Sequence, residues 1–258
     1  MNEFYSFLLK IGINPIAFYK FIIGLPSFLR DYRKFKRQLI NKSEFPFSTF
    51  YPIMMDKSAS SGRIHGVYFN QDLLVARMIF NDKPVKHVDI GSRIDGFVAH
   101  VAVFREIEIY DIRKQTSKVK NIICKQADFM QLSDDLVEYC DSISSLHAIE
   151  HFGLGRYGDP IDPYGHIKGI ESIYKMLKTG GTFYFSVPMG KQRIEFNAHR
   201  IFDLSYLLKV LENKFSVESF NYVDDAGDLY KDIELEEDKI DKNYGIHYGC
   251  AIFKLRKI

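Results

Sequence analysis

The 258 residues suffice for one sizeable core with an appended segment, and 46% hydrophobic with 26% charged residues excludes a disordered or fibrous chain. A formal net charge of +2 excludes a global field that recruits nucleic acid. Three scattered cysteines, Cys124, Cys140 and Cys250, never paired as C-x-x-C, argue against a disulfide scaffold or a cysteine-rich zinc site and suit a reducing cytoplasm.

Residues 1–50 combine short aromatic helical stretches with a basic run, in which six cations (Arg30, Arg33, Lys34, Lys36, Arg37, Lys42) face the single acid Asp31. The apolar stretch from Ile11 to Leu29 is interrupted by Pro15, Lys20, Gly24 and Pro26. It falls short of the roughly 20 apolar residues that span a bilayer and lacks the basic start and cleavage site of a secretory signal. The expectation is a cytoplasmic protein with an N-terminal helical, basic extension. Its residues 1–45 are suited to peripheral contact with an anionic membrane. A second region, 51–258, begins with the polar loop from Asp56 to Gly62 and a helix starting near Gln71.

From Pro84 onwards short apolar runs alternate with helix-like segments. Strands are expected at Val85–Ile90, Glu106–Asp111, Asn121–Cys124, Ser142–Leu146, Thr182–Val187, Phe215–Phe220 and Tyr248–Leu255, with crossover helices such as His166–Leu177 and Asp203–Leu211. This alternation predicts βαβ units and a mostly parallel sheet with helices on both faces. Nine acids and two lysines fill Asp224 to Asp241 without a clear crossover helix, which predicts a closing antiparallel pair.

Three strand ends carry the chemistry. In His87-Val88-Asp89-Ile90-Gly91-Ser92-Arg93 an apolar strand ends in an acid and turns through Gly91, where a missing Cβ lets a ligand approach the backbone. The second and third glycines of G-x-G-x-x-G are absent, which counts against a dinucleotide pyrophosphate site. Asp111 follows Asp89 by 22 residues, the spacing at which a carboxylate meets ribose hydroxyls. Asp128-Phe129 after the third strand suits an adenine edge and face.

After the fourth strand, His147-Ala148-Ile149-Glu150-His151 reads literally as the inverted zinc-protease pattern H-x-x-E-H. Gly153, Gly155, Gly158 and Pro160 break the long helix that pattern needs, so no metal is expected. The loop Asp159–Pro163 with His166 reads as a helix cap and solvated turn. Further on, the glycine pair of Lys178-Thr179-Gly180-Gly181 is helix C-cap chemistry, and His199-Arg200 lies in a loop where a base and an oxyanion clamp are useful.

The order of these motifs resembles the class I S-adenosylmethionine-dependent methyltransferase superfamily from about residue 84 to the end. Asp89-Ile90-Gly91-Ser92 is similar to its first motif, Asp111 to its ribose acid, Asp128-Phe129 to its adenine pair, Glu150-His151 to the E-H after its fourth strand, and Leu177–Thr182 to its L-K-P-G-G turn. The resemblance implies a Rossmann-like sheet of seven strands in the order 3-2-1-4-5-7-6. More narrowly, Gly24-Leu25-Pro26 with Arg30-Asp31-Tyr32, Tyr68–Leu73, Val88–Phe97 and His199–Phe202 resemble a bacterial domain-of-unknown-function family found in surface-polysaccharide gene clusters. That implies a sugar, nucleotide-sugar or phosphorylated sugar acceptor in capsule or related biosynthesis.

The expected cofactor is S-adenosylmethionine, held by Tyr68, Gln71, Asp89, Gly91, Ser92, Arg93, Asp111, Ile112, Asp128, Phe129 and Leu146. The candidate bases are His151, His147 and His199, followed by Glu150, and the candidate acceptor contacts are His199, Arg200 and Tyr157. Two rivals stand beside this reading: a peripheral membrane adaptor with a vestigial nucleoside site, and a dinucleotide-dependent oxidoreductase.

Overall fold

A computed structural model describes residues 5, 8–9, 11–39, 44–46, 49–53, 56–62 and 64–258. The chain divides into two units, Met1–Arg63 and Ile64–Ile258, a later divide than the one drawn from sequence after residue 50.

In the first unit Pro15–Gln38 form one long helix, α1. The Asn14 side chain accepts from the Ala17 N–H at 2.9 Å, and Pro15 sits in the first turn, where a missing N–H costs nothing. The helix also carries Pro26 inside it, at the loss of one backbone donor. Lys36 and Arg37 occupy the last turn, where the helix dipole favours cations, whereas Lys42 lies outside the described residues. None of the residues of α1 is buried, and among the described residues no helix is long and apolar enough to cross a membrane.

In the second unit α2 (Val67–Asp82) buries Gln71, Asp72, Val75, Ala76 and Ile79, the stripe expected of a helix with one face on a core. The strands that follow are β1 (His87–Ile90), β2 (Ile107–Asp111), β3 (Ile122–Gln126), β4 (Cys140–Leu146) and β5 (Leu177–Met189). After a separate hairpin of β6 (Arg193–Glu195) and β7 (His199–Ile201) come β8 (Phe215–Val223), β9 (Leu229–Tyr230) and β10 (Gly249–Lys257). The sheet order is β3-β2-β1-β4-β5-β10-β8-β9; β1 to β5 pair in parallel, while β10 runs antiparallel to both β5 and β8. This is the Rossmann-like order expected from the sequence, with one addition. An eighth strand, β9, extends the edge beyond β8, and the Tyr222 and Tyr230 rings stack across that pair at 4.8 Å. Strand β5 also starts earlier than Thr182, because Leu177 already pairs with Cys140.

Alternation along β5 divides the core between two faces. Phe183, Phe185 and Val187 join one apolar cluster with residues of α4 (Gly165–Met176) and α5 (Leu204–Leu211). Tyr184 joins the other, which contains the α2 stripe and Val101 of α3 (Ala99–Ala102). Helices on both sides of a parallel sheet leave the carboxyl ends of its strands as the place for a ligand.

The turn after β1 shapes that place. Gly91 has φ +70°, donates its N–H to the Tyr110 carbonyl at 2.9 Å, and leads into a π-helical turn at Ile94–Val98. A Cβ on Gly91 would stand 3.0 Å from the Ala148 side chain, in a backbone region that L-residues avoid. Gly91→Ala is expected to lower unfolding free energy by about 1–3 kcal/mol in urea titration, and an unchanged midpoint would show that this turn tolerates a side chain.

Candidate functional site

Two adjoining cavities open at the carboxyl ends of β1 to β4. The smaller, about 80 Å³, is lined by Gly91 after β1, Asp111, Ile112 and Arg113 at the end of β2, and Asp128 and Phe129 after β3. The larger, about 580 Å³, is lined by Tyr68 of α2, by Ser92 and Arg93, by Leu146, His147, Glu150 and His151 after β4, and by His199 and Tyr248. Gly91, Arg113, His147, His151 and Tyr157 belong to both walls. Thus the three strand-end signals read from the sequence meet in one cavity, and the histidines face a second one beside it.

The smaller cavity suits a nucleoside. Two of its three carboxylates, Asp111 and Asp128, stand at neighbouring strand ends, the third is Asp159, and Ile90, Ile112, Ala127, Ala148 and Phe152 supply apolar walls. Asp128 accepts the Met130 N–H at 2.8 Å through Oδ1 alone. Asp111 is more fully engaged. Its Oδ1 accepts from the Arg113 backbone N–H (2.8 Å) and Nε (2.9 Å), and its Oδ2 accepts from Arg113 Nη2 (2.6 Å) and, at 3.4 Å, Gln115. The Arg113 guanidinium lies 4.4 Å from the centroid of the Tyr157 ring. Ribose hydroxyls would share or displace these donors.

Three residues expected at the site lie outside both cavity walls. Asp89 is 1% exposed, and its oxygens accept from the Ser92 hydroxyl (2.6 Å), the Ser92 N–H (3.0 Å) and the Ser144 hydroxyl (2.6 Å). Burial raises its pKa to about 6 despite those donors. It braces the turn. Gln71 is likewise buried, accepting from the Ser186 hydroxyl at 2.7 Å and donating to Asp72 at 3.1 Å.

Arg200 also stands apart from both cavities. At 4% exposure it donates to the carbonyls of Glu150 (3.3 Å), Phe152 (2.6 Å), Asp162 (3.4 Å) and Pro163 (3.2 Å), and so clamps the loop after β4. That loop is the one expected to be a solvated turn. Within it Asp159 accepts three backbone N–H groups, while His166 pairs with the Tyr206 hydroxyl at 2.8 Å.

The histidines after β4 divide by environment. His147, with φ +50°, places Nδ1 2.8 Å from Glu150 Oε1. Burial opposes its imidazolium, but the neighbouring Cys250 and Glu150 outweigh burial and hold its pKa well above the ordinary value. His151 behaves in the opposite way: burial is the main cause of a lowered pKa, with Arg156 adding repulsion. Its Nδ1 stands 2.7 Å from the Ala198 carbonyl, which fixes the proton on Nδ1 and leaves Nε2 as a bare acceptor. Among the described residues, His147 Nε2 and Glu150 Oε2 are buried with no hydrogen-bond partner. His199 Nε2 lies 3.4 Å from both Glu195 and the Tyr248 hydroxyl, at the far wall of the larger cavity. Arg93 turns to Asp95 at 2.8 Å and stacks near the Tyr68 ring.

Sequence reasoning missed Arg113, Gln115, Arg156 and Tyr248. Arg113 had a usable signal, since it follows Asp111 by two residues at the same strand end. Gln115 lies in the loop after β2, Arg156 in the glycine-rich loop after β4 and Tyr248 just before β10, where spacing carries no information.

Comparisons with known proteins bear on the fold. No curated protein matches the chain. A family model described as "Caenorhabditis protein of unknown function, DUF268" matches residues 97–258. The family so described is not the bacterial surface-polysaccharide family implied by the resemblance. Among solved structures, the chain is similar to Burkholderia thailandensis 1,6-didemethyltoxoflavin-N1-methyltransferase, crystallised with 1,6-didemethyltoxoflavin and S-adenosylhomocysteine. Identity is 13%, coverage 72% of this chain and 78% of that chain, and TM-score 0.51. It is also similar to the cyclase SpnF, at 14% identity, 75% and 86% coverage and TM-score 0.51. These likenesses establish the fold, and the fold does not select the reaction.

Removing the Arg200 clamp separates structure from binding. Arg200→Met strands several buried carbonyls and is expected to cost about 2–4 kcal/mol of stability in urea unfolding. Nucleoside affinity of the folded variant should be unchanged, and a selective loss of affinity would return Arg200 to the site.

Proposed function

The chain belongs to the DUF268 family, and from that premise we propose that it transfers a methyl group from S-adenosylmethionine to an oxygen or nitrogen of a sugar-like acceptor. The observation that carries this reading is the convergence of Gly91, Asp111 and Asp128 on one cavity that shares walls with a second, histidine-lined one. Asp111 would hold ribose hydroxyls, Asp128 the adenine amino group, and Tyr68, Ser92 and Arg93 the methionine half. The group supplies an electrophilic methyl on a sulfonium, whose departure needs no acid.

What remains for the chain is positioning and, for an alcohol acceptor, removal of one proton. His151 is the base this arrangement favours, because its Nε2 carries no proton and its ring lines both cavities. His147, whose pKa lies above the ordinary value, is suited to donating a hydrogen bond to the acceptor instead. Glu150 lies between them, 2.8 Å from His147 Nδ1 and 3.8 Å from His151 Nε2. Sugars and nucleotide-sugars, as in surface-polysaccharide assembly, are the acceptor class we favour, since the larger cavity is walled by hydrogen-bonding side chains: Tyr68, Arg93, Glu150, Tyr157, His199 and Tyr248.

Isothermal titration of S-adenosylhomocysteine tests the cofactor half. Asp111→Ala should weaken binding by about 1.5–3 kcal/mol, the range for hydrogen bonds to a charged group. Wild-type affinity in a folded variant removes Asp111 from the site.

Mass spectrometry of nucleotide-sugars incubated with protein and S-adenosylmethionine, scanned for a gain of one methyl, identifies the acceptor. With that acceptor kcat/KM should fall as pH drops, because a protonated His151 accepts no proton. Its lowered pKa puts this fall below the ordinary histidine value of 6.5, with a plateau above it. The acidic limb should vanish in His151→Gln along with most activity; a limb that survives unchanged assigns the base elsewhere.

A further inference from the structure

We infer that the acceptor carries an oxyanion, a phosphate ester or a carboxylate, and that Arg156 seats it in the larger cavity. This rests on the methyl-transfer reading for its claim that the bound molecule is the acceptor. Three guanidinium groups line the cavity, from Arg93, Arg113 and Arg156, and among the described lining residues Glu150 alone supplies a carboxylate. Two of the three cations are committed. Arg93 Nε and Nη2 meet Asp95 at 2.8 and 2.9 Å, and Arg113 Nε and Nη2 meet Asp111 at 2.9 and 2.6 Å.

Arg156 differs. Its Nη1 donates to the Ala198 carbonyl at 2.7 Å, its plane lies 5.1 Å from the Tyr157 ring centroid, and among the described residues it has no carboxylate partner. A guanidinium offers five donors in a planar fork that matches an oxyanion, and one anchored donor leaves the rest available. Tyr157 and Ala198 hold the fork in a preset plane, which lowers the ordering cost of using it.

The place of this seat matters to the reaction. Arg156 Nη1 is 3.4 Å from His151 Nδ1, and both groups reach the Ala198 carbonyl. An anion on Arg156 therefore lies beside the proposed base. It also offsets the positive charge that opposes protonation of His151, so a seated acceptor favours the proton transfer it needs. Arg156 is thus a specificity-determining contact.

The test titrates protein saturated with S-adenosylhomocysteine against glucose 1-phosphate, glucuronate and glucose. At least one anion should bind about tenfold or more tighter than glucose, as for a charge-assisted pair, and the tighter of the two identifies phosphate or carboxylate. Arg156→Gln should lose that margin while keeping its affinity for S-adenosylhomocysteine, and Arg156→Lys, which keeps the charge and loses the fork, should fall between. Binding of glucose as tight as both anions, binding of neither anion, or an unaffected Arg156→Gln overturns the inference. Failure of S-adenosylhomocysteine to bind wild type would count against the methyl-transfer reading, and the same titrations without it would still decide whether Arg156 seats an oxyanion.

Discussion

The hydrogen bonds that converge on Asp89 set the geometry on which both cavities depend. A buried carboxylate is costly unless its lone pairs are met. Here the Ser92 hydroxyl and N–H and the Ser144 hydroxyl meet them, tying the end of β1 to the middle of β4. The Ser92 hydroxyl oxygen then accepts the Leu146 N–H at 2.9 Å, so the last residue of β4 is held as well. Gly91 follows one end of this network and His147 the other. Their appearance in the walls of both cavities is a consequence of that one buried acid.

The same network explains what could be read from the sequence and what could not. Apolar runs bounded by turns gave the parallel strands within a few residues, because period-two burial is a local property. The strand-end acids looked equivalent, yet Asp89 lies inside β1 and Asp111 is the terminal residue of β2. The register sets Asp89 level with Ile109, so Asp111 stands two residues farther toward the carboxyl edge on the same face, and only that register tells a brace from a ligand contact. His199 and Arg200 repeat the lesson. They are adjacent in β7, so alternation sends His199 to the cavity and Arg200 to the carbonyls of the β4 loop. Residue type suggested a pair acting together; the pleat separates them.

The two units also differ in what stabilises them. The sheet unit buries apolar residues on both faces, whereas α1 relies on its Asn14 cap, on basic residues at its end and on aromatic contacts of Phe28 and Tyr32 with Phe50. Tertiary burial supplies most helical stability in folded proteins, and a helix without buried residues has little of it.

Glu150 shows how one carboxylate can divide labour between two like side chains. It touches His147 Nδ1 and stands farther from His151 Nε2, so its field reaches the two imidazoles unequally. Cys250 and Glu150 outweigh burial at His147, while Arg156 and burial outweigh Glu150 at His151. The hydrogen-bond partners reinforce this division, because a carboxylate at Nδ1 of His147 and a carbonyl at Nδ1 of His151 both call for a proton there. The second ring nitrogens then differ: a donor on His147, an acceptor on His151. Paired titratable groups whose surroundings push them apart are the arrangement from which acid and base roles arise. A hydroxyl placed between them would accept from one and donate to the other, which would orient its lone pair for the proposed transfer.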